Sequence, residues 1–311
     1  MKFDVCLMNP PYKGLHLKFV PESINFLSDN GYMSCIFPAS LTLHLHNKNF
    51  NKVKEELNPY VTYCNIKPLN KKFNTGLYVP YCILVLSKNK SNDEIIFDNI
   101  GITKVVNHFY DCNLIGKYST IISIENKIKN KSKVLIDYNF DNSKTYSPNT
   151  AFIRYSAILP GHSYQQTRTI LDEVNNIRLS ERYFIWGCHK YDNTPVKREN
   201  IGTTKSRNKN IWSCIYCDKF DTFEENSNFL LNLKDFIRHS KLAHYLGITY
   251  NFDQGNNAVL FAPYLDFTHK WNDEMLYKFF DFNEEEISLI ENTCKRFEWN
   301  TEWNKKFYEY D

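Results

Sequence analysis

In Lys2-Phe3-Asp4-Val5-Cys6-Leu7-Met8-Asn9-Pro10-Pro11-Tyr12, a short apolar run of strand character stops at two successive prolines. Each proline lacks an N–H and has a fixed φ, so neither continues a β-ladder. The residue before each proline is pushed toward extended geometry as well. Asn9 and Tyr12 are therefore predicted on a stiff turn at the carboxyl end of a strand. That is the end at which an open α/β sheet binds its ligands.

The elements that follow keep to the same pattern. Leu17, Val20, Ile24 and Leu27 recur at helical spacing. Pro21 marks either a kink or the first turn of the helix proper, and Asp29-Asn30-Gly31 is expected to end it. Tyr32 to Phe37 reads as a second strand closed by Pro38. Phe50, Val53 and Leu57 mark a helix stopped at Asn58-Pro59. Val61 to Ile66 and Pro80 to Leu86 are two further strands, rich in β-branched and apolar residues. Strand–helix–strand–helix–strand is α/β order.

The corner suits an awkward nucleophile. An exocyclic amine on a nucleobase is a poor one, because its lone pair is delocalised into the ring. The Asn9 side-chain oxygen and the Pro10 carbonyl could accept that amine's two N–H groups, favouring charge that develops on nitrogen as it attacks. Tyr12 offers an aromatic face for an extruded base. An accidental turn, or a Pro-Pro-Tyr ligand for a small proline-binding domain, is the plainer alternative.

Asn9-Pro10-Pro11-Tyr12 resembles the catalytic motif of DNA methyltransferases that act on the N6 amine of adenine. With Leu15-His16-Leu17-Lys18 and Gly31-Tyr32 to Phe37-Pro38, the first 90 or so residues resemble the methyltransferase part of type IIG-like restriction–modification enzymes. The resemblance implies an α/β fold class: the second half of a Rossmann-like methyltransferase sheet, whose last two strands pair antiparallel, then a mixed α+β target-recognition region. It implies a catalytic half over residues 1–92, with the polar break Asn89-Lys90-Ser91-Asn92-Asp93 as boundary, and DNA or target recognition over 93–311. Asn9, Pro10, Pro11 and Tyr12 become the catalytic residues and S-adenosylmethionine the methyl donor. By position Phe73 would stack on the base face opposite Tyr12, and Lys71 and Lys72 beside it would suit phosphates. A loop phenylalanine folded onto the sheet, with two solvated lysines, is the alternative there.

The cofactor's own motifs are not found. A Gly-rich turn after the first strand and an acid ending the second would normally hold it. Residues 3–8 fall where the fourth strand is expected, and Leu159-Pro160-Gly161-His162 and Asp253-Gln254-Gly255-Asn256-Asn257 are poor substitutes. The cofactor-binding residues are thus unknown. A sheet cut at its middle also exposes a strand edge, an aggregation hazard. The expected cover is a separate amino-terminal methyltransferase half, a second copy of the chain, or its own later segments.

Further along, Lys127, Lys129, Lys131 and Lys133 form a basic alternation. Lys190, Lys197, Arg198, Lys205, Arg207 and Lys209 lie between Trp186 and Trp212, basic groups with flanking aromatics of the kind that contact double-stranded DNA. An exposed loop explains them equally well. Cys214-Ile215-Tyr216-Cys217 is one Cys-x-x-Cys pair; without a firm second pair beyond Cys188 and His189, a strand is preferred to a metal site and no metal is expected. A helix is predicted from Leu230 to Leu246, another carries Leu276, Phe279 and Phe280, and Asn283 is expected to cap a third that begins at Glu284-Glu285-Glu286.

Composition sets the outer bounds. The net charge of +3 places any nucleic-acid contact in local patches rather than in the overall field. Nine cysteines, several within apolar strands, read as reduced core thiols of a cytoplasmic protein. No apolar run is long enough to cross a bilayer, so no membrane partner is expected. The leading expectation is an adenine-specific DNA methyltransferase, or part of a split one. The rival is a catalytically inactive, methyltransferase-derived DNA-binding protein acting as decoy or anti-restriction factor.

Overall fold

The computed structural model describes residues 1–11, 14–38, 40–43, 45, 48–67, 81–99, 102–113, 115–134, 144–156, 190–191, 195–197, 213–250 and 263–296. The chain divides into two compact units at Tyr118.

The first unit is built on a six-stranded sheet. Its elements in chain order are β1 (Phe3–Met8), α1 (His16–Ser23), β2 (Leu27–Pro38), α2 (Ser40–Leu43), α3 (Lys48–Leu57), β3 (Val61–Lys67), β4 (Tyr81–Ser87), β5 (Ile95–Asn99) and β6 (Ile102–Val106). The strands lie in the order β1-β2-β4-β3-β5-β6. β1 runs parallel to β2, and β3 parallel to β5. β4 is antiparallel to both its neighbours, and β6 to β5. The two strands expected to pair antiparallel, β3 and β4, do so. The fold is thus a mixed sheet with helices.

Strand alternation decides which face is sealed. Met33, Cys35 and Phe37 of β2 are buried in register with Leu86, Leu84 and Cys82 of β4, and Cys64 and Ile66 of β3 continue the same face. Val20 from α1, and Val53 and Leu57 from α3, are buried with them. β1 is the terminal strand of the sheet.

Three expectations need correcting. Asp29-Asn30-Gly31 does not end a helix: α1 stops at Ser23, a 3-10 turn spans Ile24–Phe26, and the tripeptide lies inside the twelve-residue β2. Gly31 is there for close approach, since a Cβ would sit 2.8 Å from the Phe3 carbonyl oxygen beside the bulge in β1. Of the two alternatives for Pro21, the helix that begins there is ruled out: α1 already runs from His16 and carries Pro21 inside it. The break at residues 89–93 is a turn rather than a boundary, because β5 and β6 beyond it join the same sheet and the unit extends to Tyr118.

A polar knot closes the end of this unit. Buried Asn113 donates from Nδ2 to the carbonyls of Tyr110 (2.7 Å) and Gly116 (2.8 Å), and its Oδ1 accepts from the Ile115 and Gly116 amides at 2.8 and 2.9 Å. The Tyr110 ring is stacked between His108 and Tyr118.

The second unit holds α4 (Tyr118–Lys131), β7 (Lys133–Val134), β8 (Ala151–Ser156), β9 (Lys190–Tyr191), β10 (Ser213–Cys217), α5 (Phe223–His239), α6 (Lys241–Tyr250), β11 (Pro263–Tyr264), α7 (Asp273–Phe280) and α8 (Glu284–Arg296). β8 lies between β10 and β9, and β7 pairs with β11. The helix expected over 230–246 is two helices broken at Ser240. Ser240 takes an extended conformation, donates to the Asp273 carboxylate at 3.1 Å and accepts from the Ala243 amide at 3.3 Å. Asn283 caps α8 as expected: its Oδ1 accepts from the Glu286 amide at 2.9 Å, while its own amide donates to Glu286 Oε2 at 2.8 Å.

Candidate functional site

The corner forms where β1 ends. Met8 is level with Cys35 of β2, and the next three residues alternate: Asn9 exposed, Pro10 buried, Pro11 exposed. Exposed Asn9 thus sits next to buried Pro10 at the carboxyl end of β1. Gly14, at φ 86°, then turns the chain into α1, a conformation glycine takes without strain. The Ser23 hydroxyl reaches back to the Met8 sulfur at 4.0 Å. Its proton has the nearer acceptor in the Phe19 carbonyl of the same helix, at 2.6 Å.

His16 was part of the motif's surroundings, but its packing was not foreseeable. It is buried at the start of α1 with its ring edge-on to Phe37, centroids 4.8 Å apart. Burial lowers its pKa below the ordinary imidazole value, so the ring is neutral at pH 7. That neutral ring lies against the carboxyl end of β2.

At the same edge, Pro38 of β2 pairs with Tyr81 of β4, and Tyr81 pairs in turn with Lys67 of β3. Lys67 and Tyr81 are the anchors of the segment that carries Lys71, Lys72 and Phe73. They emerge about 10–15 Å from the β1 terminus, two to three strand spacings. Phe73, Lys71 and Lys72 themselves, like Tyr12, lie outside the described residues. Tyr81 at this edge was missed, because only the strand register reveals it.

The distal basic residues divide. Lys190 is in β9; Lys197 is exposed, with its Nζ 5.5 Å from the centroid of the Phe223 ring at the start of α5. Arg198, Lys205, Arg207 and Lys209 lie outside the described residues. Three of the 127–133 lysines have partners within their own unit. Lys127 pairs with the buried Glu286 at 2.7 Å, Lys129 with Glu125 at 3.2 Å, and Lys131 donates to the Phe279 carbonyl at 2.7 Å. Cys214 to Cys217 lie in strand β10, and burial pushes the Cys217 thiol up to about 11. Among the described residues no cluster of three His, Cys, Asp or Glu could hold a metal ion.

The described residues do not assemble a site for S-adenosylmethionine. The turn between β1 and α1 contains Gly14 alone of the glycines such a site needs, and β2 ends in Phe37-Pro38 rather than an acid. No helix among them is long and apolar enough to cross a membrane.

No protein-family model matches the chain, and no curated protein does. Among solved structures, a Listeria monocytogenes protein assigned to the class I S-adenosylmethionine-dependent methyltransferases aligns at TM-score 0.26 and 15% identity, over 32% of this chain and 38% of that one. The M protein of the type I restriction enzyme EcoKI aligns at 0.25 and 15%, over 29% and 22%. A type I restriction–modification methyltransferase subunit from Streptococcus thermophilus aligns at 0.29 and 18%, over 40% and 36%. The chain spans less than two-fifths of each of these structures.

Proposed function

We propose that the chain is the base-handling half of an adenine-specific DNA methyltransferase. The observation that supports this most directly is the exposed Asn9 on a buried Pro10 at the carboxyl end of β1. The anchors of the Phe73 segment leave the sheet at the same edge.

In this reading an adenine is extruded from duplex DNA and stacks between Tyr12 and Phe73. Asn9 Oδ1 and the Pro10 carbonyl accept the two N6 hydrogens. As the amine attacks, its nitrogen gains positive charge, and two fixed acceptors aimed at its hydrogens stabilise that charge. Pro11 stiffens the corner. Lys71 and Lys72 hold phosphates near the site, and Lys190, Lys197, Arg198, Lys205, Arg207 and Lys209 belong to target recognition in the second unit. S-adenosylmethionine would supply an electrophilic methyl group. The residues that would hold it are not identified among the described ones; in this reading a separate amino-terminal half would supply them.

That same lack favours a second reading, in which the chain binds DNA without catalysis as a decoy or anti-restriction factor. Calorimetry with S-adenosylmethionine separates the two. Binding that appears when a partner is added supports the split enzyme; binding under no condition supports the decoy.

The catalytic reading requires an extruded base, and 2-aminopurine in place of a fraction of the adenines reports it. Emission should rise when the chain binds such a duplex pool, and Tyr12→Ala or Phe73→Ala should abolish the rise. Bound DNA with unchanged emission would remove the base-handling role.

A further inference from the structure

One strand holds the corner from both ends. At its entry, Met8 of β1 is paired with Cys35 of β2. At its exit, the ring of His16, the first residue of α1, stands edge-on against Phe37 of the same strand, with centroids 4.8 Å apart. Cys35 and Phe37 are two residues apart, so they lie on one face of β2. That strand is itself paired on both sides, by β1 and β4. The seven residues from Asn9 to Leu15 therefore connect two points fixed on neighbouring positions of one strand. His16 is only 6% exposed and Phe37 not at all, so the second contact is closed to water. Burial keeps the imidazole neutral at pH 7, which spares the contact the cost of a buried charge.

The two clamps differ in kind. The first is backbone pairing, open to any sequence of strand character. The second depends on one pair of side chains. Gly14 just ahead of it, at φ 86°, adds no stiffness of its own. Pro10 and Pro11 fix φ at two positions but not the path onward to the helix. Tying both ends of a short segment removes most of its conformational freedom, and releasing one end returns it. Fixed acceptors stabilise a developing charge only if they are already aimed at it. A misplacement of about 1 Å costs about a hundredfold in rate.

We infer that His16 is a positioning residue for the corner: acting through Phe37, it fixes the segment that carries Asn9, Pro10 and Tyr12. That role rests on reading the corner as a base-handling site, whereas the clamp itself does not.

The test compares three variants of the full chain, His16→Ala, His16→Phe and Phe37→Leu. The first empties the contact, and the second keeps a ring in it. The third removes the ring on the strand side while still filling the core, and carries the test should His16→Ala fail to fold. Amide exchange, which needs no DNA, reads the clamp. The Leu17 and Lys18 amides donate to the Gly14 and Leu15 carbonyls at 3.3 and 3.0 Å and report the exit of the corner. They should exchange at least tenfold faster in His16→Ala and Phe37→Leu, with β3 and β4 amides unchanged, and near the native rate in His16→Phe. The emission of the 2-aminopurine duplex pool, at DNA concentrations that saturate every protein, reads positioning. The rise should be at least tenfold smaller in His16→Ala and Phe37→Leu at unchanged DNA affinity. His16→Phe should restore most of it, and the double variant His16→Ala, Phe37→Leu should be no worse than either single one. A residue that only stabilised the unit would leave the rise intact in every variant that folds. Unchanged exchange at Leu17 and Lys18 would overturn the clamp. Faster exchange with a native rise, or losses that add in the double variant, would overturn the positioning role. No rise with the native chain would count against the base-handling reading and the positioning role together, while exchange would still decide the clamp.

Discussion

Replacing Lys54 with methionine should stabilise the first unit, an unusual outcome for removing a charge. Lys54 lies on α3 and is fully buried, and its Nζ has no hydrogen-bond partner among the described residues. The nearest compensation is the Tyr110 ring, with its centroid 5.3 Å away. Burial lowers its pKa from 10.5 to about 8, and the nearby Cys112, Cys64 and Cys82 thiols only partly offset that. A shift of about two and a half units corresponds to about 3 kcal/mol at about 1.4 kcal/mol each. The sign follows from linkage. The folded state disfavours the charged amine, so the full penalty is present below pH 8 and fades as pH rises through the unfolded value near 10.5. Methionine fills a similar volume without the charge, so Lys54→Met should gain up to about 3 kcal/mol at pH 7. Hydrogen exchange of α3 and β3 amides, measured on both proteins at pH 7 and pH 10, reads the unit's own stability. The advantage of the variant should shrink at the higher pH. A variant less stable at pH 7, or a difference that does not change with pH, would refute the reasoning.

The second unit offers two further tests. Asn226 is fully buried and makes five hydrogen bonds: its Oδ1 accepts from the Lys219 and Phe220 amides, and its Nδ2 donates to the carbonyls of Asn149, Phe220 and Thr222. Asn226→Ala should cost about 2–4 kcal/mol by leaving several buried backbone groups unpaired, seen as faster exchange in α5 and β8. For Glu286, burial pushes the carboxyl pKa up, but donors from Lys127, Ser123 and Asn283 outweigh it and hold the value below that of an ordinary carboxylate. Its contribution is therefore present above about pH 4.3 and lost as pH falls through the lower folded value. Lys127→Met should cost about 2 kcal/mol at pH 7 and weaken that acid dependence, as read from α8 exchange between pH 7 and pH 3.

What the sequence revealed and what it hid follow from range. Strands β1 to β4 were legible because apolar runs end at prolines or polar turns: Met8 before Asn9-Pro10, Phe37 before Pro38. β5 and β6 were lost to the second domain because Asn89 to Asp93 looks the same as a turn and as a linker. Only the pairing of Tyr63 with Ile96 tells the two apart. Gly31 was taken for a helix stop because its reason, the Phe3 carbonyl, lies 28 residues away. The basic alternation from 127 to 133 suggested one face, but α4 turns alternate residues apart and sends Lys127 and Lys129 to different acids. At the corner, two prolines fix local geometry, so Asn9 was legible. His16 against Phe37 and Tyr81 opposite Pro38 depend on which strands become neighbours.

The claim that Asn9 polarises an adenine amine is tested most directly by methyl transfer. The chain and its partner would be incubated with S-adenosylmethionine and unmethylated DNA, and the digested nucleosides analysed by mass spectrometry. N6-methyladenine should form with the native chain and vanish with Asn9→Ala, while DNA affinity stays nearly the same. Equal yields from both proteins, or methyl groups on another base atom, would contradict it.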